Sequence, residues 1–185
     1  MPAPGTQRRP PAANAACGRR TSCHGYSGLP TPDQLTWLIA DPAAMEHLGR
    51  QLAGHCPPGS RIYLRGELGA GKTTLVRGFL RGCGYRGKVK SPTYTLIEPY
   101  VIGDLTINHI DLYRIGNAQE LETLGWRDYL DGAATCLVEW PERGDGRLGE
   151  ADILIEFQMV DAGRSLTLRA GTASGRAMLA ALPAA

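Results

Sequence analysis

The sequence predicts an α/β fold, and three observations support this prediction. A strand-like run at residues 61–65 leads through a glycine-rich loop into apolar residues at helical spacing. The run from Thr135 to Glu139 is almost continuously apolar, as expected of a parallel strand that is buried on both faces. Turn residues also separate two further pairs of strand-like segments. Strands and helices therefore alternate along one chain, as α/β folds require.

The first 33 residues are expected to form a disordered tail, because Pro, Ala, Gly and Arg dominate them and large apolar residues are few. Residues 34–185 are long enough to bury a core and are expected to form a single domain. The tail holds four Arg and one Asp, which leaves the domain close to neutral although the whole chain has a formal charge of +2. Such a domain is not expected to bind nucleic acid unaided, because Lys and Arg contacts to phosphates dominate that binding.

The composition favours a cytoplasmic protein with free thiols and no membrane association. The chain has neither the apolar run of a secretory signal nor an apolar stretch long enough to cross a membrane. Its five cysteines are odd in number and contain no C-x-x-C pair, which argues against a disulfide framework and against a zinc site.

Cap and turn residues predict the remaining elements in order. Asp41-Pro42 is a favourable N-cap and first-turn pair for a helix that fades near Gly54. Two strand pairs and two short helices are expected further along: strands around the turn at 103–104, helices at 119–124 and 126–130, and strands at 152–157 and 165–169.

The stretch "GELGAGKTT", residues 66–74, matches the phosphate-binding pattern G-x-x-x-x-G-K-[ST]. It lies between a strand and a helix, so backbone N–H groups can point at phosphate oxygens with the positive end of the helix dipole behind them. Lys72 is then expected to reach the β- and γ-phosphates, Thr73 to ligate Mg²⁺ and Thr74 to bond the α-phosphate. A merely flexible loop would need neither a lysine nor a hydroxyl at these positions.

Hydrolysis also needs a carboxylate that holds the metal and a group that orients the attacking water. Glu139 ends the continuously apolar run, so it is expected at the carboxyl end of a central strand, where ligands bind in open α/β sheets. Asp111 ends "LTINHID", whose alternation predicts a half-exposed strand. We therefore assign the metal to Glu139, and a second metal-shell or water-positioning role to Asp111.

Four motifs, "GELGAGKTT", "SPTYT", "HIDLYR" and "VEWPE", occur in that order. Through their order and spacing, the sequence resembles the bacterial TsaE family, formerly called YjeE, over about residues 35–170. The resemblance implies a P-loop NTPase-like fold with a mixed β-sheet flanked by helices in three layers. It implies an ATPase that uses ATP and Mg²⁺ and is required for threonylcarbamoylation of adenosine 37 in tRNAs reading ANN codons. In that family, the TsaD–TsaB pair stimulates ATP hydrolysis, which is thought to reset the complex between turnovers. The resemblance therefore implies TsaD–TsaB as the partner, with tRNA contacted indirectly through the complex.

The resemblance also assigns individual residues. It places the phosphates on Gly69, Ala70, Gly71, Lys72, Thr73 and Thr74, and the metal on Thr73 and Glu139. Asp111 falls on the essential acid of the H-x-D-x-Y-R motif, and Trp140 on the essential tryptophan beside Glu139. The family's switch-like loop corresponds to Ser91, Pro92, Thr93 and Tyr94. In this loop, Pro92 restricts the backbone while the neighbouring hydroxyls are able to sense a γ-phosphate.

Several residues leave alternatives open. His109 is either a site residue or a packed, hydrogen-bonded histidine. Arg114 either complements a negative charge or is a solvated surface group. Trp126 has no motif support and is expected to lie in the core rather than in a site. The loop at 142–150 is expected to be solvated, although Arg143 or Arg147 could close over a nucleotide.

Two other classes of function use the same phosphate-binding loop. A small-molecule kinase would pass the γ-phosphoryl group to an acceptor, but the sequence offers no evident acceptor-binding insertion. A nucleotide-dependent binding module would leave the paired acids without a role. GTP is disfavoured as the nucleotide, because no N-K-x-D element is present.

Overall fold

The computed structural model describes residues 33–123, 125–130 and 132–183. The predicted tail therefore lies outside the described residues except for Asp33. The strands are β1 Gln34–Ile39, β2 Arg61–Arg65, β3 Ile97–Ile102, β4 Leu105–Asp111, β5 Thr135–Glu139, β6 Ile153–Val160 and β7 Gly163–Ala170. The helices are α1 Pro42–His55, α2 Lys72–Gly82, α3 Ala118–Thr123, α4 Trp126–Tyr129 and α5 Ala173–Ala181, with a 3₁₀ turn at Pro141–Gly144.

The strands form one sheet in the order β1-β7-β6-β2-β5-β4-β3. Its centre is parallel, because β2 pairs in parallel with β5 and β6, and β4 pairs in parallel with β5. Antiparallel pairs complete both edges: β3 pairs with β4 on one side, and β7 pairs with both β1 and β6 on the other. The predicted mixed sheet is confirmed.

Apolar clusters on the two faces of the sheet give the fold its three layers. One cluster joins the sheet to α1, α2 and α5 through residues such as Leu48, Phe79 and Met178. The other joins the opposite face to α3 and α4 through Leu121 and Trp126. Trp126 is a core residue, as predicted.

The predicted helix cap and the predicted turn are both confirmed. Asp41 caps α1, and its side chain accepts a hydrogen bond from the Ala44 amide at 2.8 Å. The strands on either side of the Gly103-Asp104 turn pair antiparallel, as expected. Sequence reasoning missed β1 and α5, since β1 directly follows the Pro-rich tail and pairs with β7, more than a hundred residues away.

The prediction that β4 is half exposed is wrong. The strand is buried from Ile107 to Asp111, because β3 and β5 lie on its two sides and apolar clusters cover both faces. Its polar residues Asn108, His109 and Asp111 are buried and do not face water. Asn108, for example, donates a hydrogen bond to the Tyr129 carbonyl oxygen at 3.1 Å.

Candidate functional site

The glycine-rich loop runs from the end of β2 to the start of α2 and leaves the helix N-terminus without a side-chain cap. Gly69 and Gly71 have φ angles of 80° and 106°, in the left-handed region that favours glycine. No acidic residue lies in the first turn of α2. The first-turn N–H groups therefore remain available for an anion, which the helix dipole also favours.

Lys72 is buried below this loop and points back into it. Its ammonium donates hydrogen bonds to the carbonyl oxygens of Gly66 at 2.6 Å and Glu67 at 2.9 Å. It also lies 4.0 Å from the ring centroid of Trp140. Burial lowers the pKa of Lys72, while the negative charges of Glu139 and Asp111 oppose that effect. The ammonium therefore lines the same cavity as both acids.

The two acids lie side by side, because β4 and β5 are parallel and pair Asp111 with Glu139 in register. Glu139 is 3% exposed, and its Oε1 accepts a hydrogen bond from the Thr73 hydroxyl at 2.7 Å. His109 Nε2 lies 2.9 Å from the same oxygen. The end of β5 and the first turn of α2 thereby bring the predicted metal-binding pair, Glu139 and Thr73, into direct contact.

Asp111 contacts the predicted switch-like loop. The Ser91 hydroxyl donates to Asp111 Oδ2 at 2.5 Å, and the Thr93 hydroxyl lies 3.3 Å from the same oxygen. The other carboxylate oxygen accepts a bond from the Tyr113 amide at 3.0 Å. A movement or substitution of Ser91 or Thr93 would therefore alter the hydrogen bonds that Asp111 accepts.

Trp140 adopts an uncommon backbone conformation directly after Glu139. Its φ is 59°, which is costly for a bulky residue, and its N–H donates to the Leu64 carbonyl oxygen at 3.1 Å. Its ring centroid lies 5.1 Å from that of Tyr113. This turn directs the indole toward Lys72 instead of allowing the strand to continue.

A cavity of about 310 Å³ unites most of these groups. It is lined by Leu68, Gly69, Gly71, Lys72, Thr73, Thr74, Ser91, Thr93, Asp111, Tyr113, Glu139 and Trp140. Of the residues predicted from the sequence, Ala70 is buried beside the cavity rather than lining it. Pro92 and Tyr94 line a neighbouring cavity of about 250 Å³, together with Lys88 and Lys90.

The sequence profile described as threonylcarbamoyl adenosine biosynthesis protein TsaE matches residues 39–166. The chain belongs to the TsaE family. The resemblance inferred from four short motifs is therefore confirmed over most of the described residues.

Two curated relatives carry the name tRNA threonylcarbamoyladenosine biosynthesis protein TsaE. The Haemophilus influenzae protein is 45% identical over 154 residues, which cover 80% of this chain and 98% of the relative. The Bacillus subtilis protein is 36% identical over 138 residues, which cover 74% of this chain and 86% of the relative. A crystal structure of Bacillus subtilis YdiB superposes with a TM-score of 0.68 at 31% identity, covering 78% of this chain and 90% of that one.

Two residues of this TsaE-family site were left undecided or unassigned by sequence reasoning. His109 is fully buried against Glu139, so its alternation with Asp111 along β4 was the signal that places both on the face of the site. Tyr113 also lines the cavity, and its place in the H-x-D-x-Y-R motif was the signal that could have assigned it to the site.

Two of the arginines considered from the sequence, Arg147 and Arg114, contact different parts of the molecule. Arg147 pairs with Glu122 at 3.1 Å, so it joins the loop to α3. The guanidinium of Arg114 lies 4.2 Å from the ring centroid of Tyr94, which is 84% exposed. Arg114 therefore contacts the switch-like loop.

The described residues contain no group of three or more His, Cys, Asp or Glu side chains arranged to hold a metal ion. In the same part of the chain, none of the helices is both long and apolar enough to span a bilayer.

Proposed function

We propose that this TsaE-family chain is a Mg²⁺-dependent ATPase. It supports threonylcarbamoylation of adenosine 37 in tRNAs reading ANN codons, and it hydrolyses ATP in complex with a TsaD–TsaB pair. Residues 34–185 act as a single P-loop ATPase domain in the cytoplasm, and the tRNA is reached through the complex. The observation that carries the proposal is the Thr73–Glu139 hydrogen bond in a cavity that also contains Lys72 and Asp111.

The residues present fit a nucleoside triphosphate with its metal. The uncapped N-terminus of α2 and the left-handed glycines leave backbone N–H groups for phosphate oxygens. Mg²⁺ prefers oxygen ligands and is usually held by one or two protein groups together with substrate phosphates and water. One hydroxyl and one carboxylate, from Thr73 and Glu139, meet that requirement, and no larger cluster is needed.

Several side chains of the cavity have a definite task in this proposal. Bound Mg²⁺·ATP supplies the γ-phosphoryl group and the charge that activates it. Lys72 would exchange its bonds to the loop carbonyls for phosphate oxygens, while Trp140 holds its ammonium on the cavity side. Thr73 and Glu139 would hold the metal. Asp111 orients the attacking water once Ser91 and Thr93 release part of its carboxylate.

The bonds between Asp111 and the switch-like loop support partner dependence. As long as Ser91 donates to Asp111, the same carboxylate oxygen is occupied. A partner that moves this loop would free the acid for catalysis, so hydrolysis by the isolated chain is expected to be slow.

The test is Mg²⁺-dependent ATP hydrolysis by the purified protein, with and without its cognate TsaD–TsaB pair. We expect the pair to stimulate hydrolysis, and Glu139→Ala and Lys72→Ala each to lower the stimulated rate by at least about 100-fold. Glu150→Ala removes an exposed acid outside the cavity and serves as the control. If the partners change nothing while a small metabolite drives ADP release, the protein is a kinase instead.

A further inference from the structure

One buried group in this region is not explained by the roles above. His109 lies on β4 with none of its surface exposed, on the face of the sheet that carries Glu139. Its Nε2 is 2.9 Å from Glu139 Oε1, while its Nδ1 has no hydrogen-bond partner among the described residues. A buried imidazole with one satisfied nitrogen and one unsatisfied nitrogen costs free energy, so its place against the acid needs a reason.

The geometry identifies which nitrogen carries the proton. An ionised carboxylate only accepts hydrogen bonds, so Nε2 must donate to Glu139. His109 therefore donates through Nε2–H, in a fixed direction at the side of the acid.

Two donors then converge on one oxygen of Glu139. The Thr73 hydroxyl and the His109 imidazole both bond Oε1, at 2.7 and 2.9 Å. Within the described residues no hydrogen bond reaches Oε2. One oxygen is thus anchored from α2 and from β4, and the carboxylate is held in one rotamer with its second oxygen available.

We propose that His109 is a positioning residue that holds the Glu139 carboxylate in the orientation needed for the metal. This inference rests on the proposed Mg²⁺·nucleotide site and adds a residue to it. Hydrogen-bonded partners of metal-binding groups orient them, and their loss typically weakens metal binding by about 10–100-fold. His109 acts through Glu139 and contacts neither metal nor nucleotide.

Substitutions at His109 distinguish the effect of its hydrogen-bond donor from the effect of its packing. In His109→Gln, the side-chain amide nitrogen can reach the place of Nε2 and donate to Glu139. In His109→Asn, the amide is one methylene shorter and cannot reach it, while His109→Leu fills similar volume without any donor. The matched control is Asn108→Leu, which removes a buried hydrogen bond to Tyr129 on the opposite face of β4.

The measurement is calorimetric binding of a non-hydrolysable ATP analogue over a range of Mg²⁺ concentrations, and in EDTA. We expect His109→Asn and His109→Leu to raise the Mg²⁺ concentration for half-maximal binding by about 10–100-fold. Affinity in EDTA should stay within about twofold of wild type, and His109→Gln and Asn108→Leu should behave like wild type. If thermal melts show that His109→Leu is not folded, the comparison of His109→Asn with His109→Gln provides the test.

Two results would overturn the proposal: an unchanged Mg²⁺ dependence in both donor-deficient variants, or an equal shift in all three His109 variants. A wild-type protein that binds the analogue without regard to Mg²⁺ would instead overturn the proposed function. As an independent check, ¹⁵N NMR of the imidazole should show the Nε2–H tautomer for His109. An Nδ1–H tautomer would contradict the proposal, because Nε2 would then have no proton to donate.

Discussion

At the scale of single residues, each acid of the site has a neighbour that restrains it. Glu139 is anchored by Thr73 and His109, whereas Asp111 is held by hydroxyls of the switch-like loop. The first pair of contacts comes from regular elements, α2 and β4, and the second from a connecting loop. We infer that Glu139 is fixed in advance and that Asp111 responds to the state of the loop.

Asp111→Asn tests the role of Asp111 by replacing one carboxylate oxygen with an amide nitrogen. The amide keeps the size of the carboxylate but cannot act as a base or an ionised acceptor, so the partner-stimulated kcat should fall by at least about 100-fold. Nucleotide affinity should change by no more than a few-fold, because the phosphate loop is untouched. Single-turnover hydrolysis and equilibrium binding measure the two quantities separately. Asp104→Asn, in the exposed turn of the same hairpin, is the control. A loss of affinity equal to the loss of rate would assign Asp111 to binding.

At the scale of elements, the position of the glycine-rich loop depends on how closely α1 approaches α2. A Cβ atom at Gly49 would lie 2.3 Å from the Leu75 carbonyl oxygen and 2.7 Å from the Phe79 amide. A Cβ atom at Gly78 would lie 2.3 Å from the Glu46 carbonyl oxygen. Glycine on both helices therefore permits backbone-to-backbone contact, which seats α2, with Lys72 and Thr73 in its first turn, against its neighbour.

Gly49→Ala should force the helices apart and lower the free energy of unfolding by roughly 3 kcal/mol, the upper part of the usual overpacking range. Gly54→Ala in the same helix meets no atom within 4 Å and should raise it by roughly 0.5–1 kcal/mol, through helix propensity. Urea unfolding followed by circular dichroism measures both. Equal effects of the two substitutions would show that helix contact does not limit stability.

At the scale of the whole molecule, the cavity is built from parts distant in sequence. The loop before α2, the switch-like loop, the end of β4 and the turn after β5 all contribute to its wall. A ligand that contacts all of these parts would link segments that lie far apart in the sequence. Binding should therefore stabilise the entire fold and not only the loop.

Mg²⁺·ADP at about 100 times its dissociation constant should add about 2.7 kcal/mol to the free energy of unfolding. For a chain of this size, that corresponds to a rise in Tm of about 5–10 °C. Thermal melts followed by circular dichroism measure the shift. Lys72→Ala should abolish most of it, and Mg²⁺·GDP should give less than Mg²⁺·ADP. An identical shift in wild type and Lys72→Ala would place the ligand elsewhere.

Local chemistry was sufficient to predict much of the fold and part of the site. The cap at Asp41, the turn at Gly103 and the apolar run before Glu139 each act within a few residues, and their predictions agree with the structure. The strand β1 was missed because its pairing partner β7 lies at the other end of the chain. Burial of β4 was misjudged because it depends on layers on both faces, which a short alternating segment does not reveal.

The sequence by itself determined the family, and it predicted the glycine-rich loop and the two acids as site residues, because motif spacing and strand-end position are properties of consecutive residues. Only the tertiary structure decided which groups touch. Parallel pairing of β4 with β5 brings Asp111 beside Glu139, and α2 brings Thr73 onto the same oxygen as His109. Those contacts arise from sheet register and helix packing, which depend on residues distant in the chain.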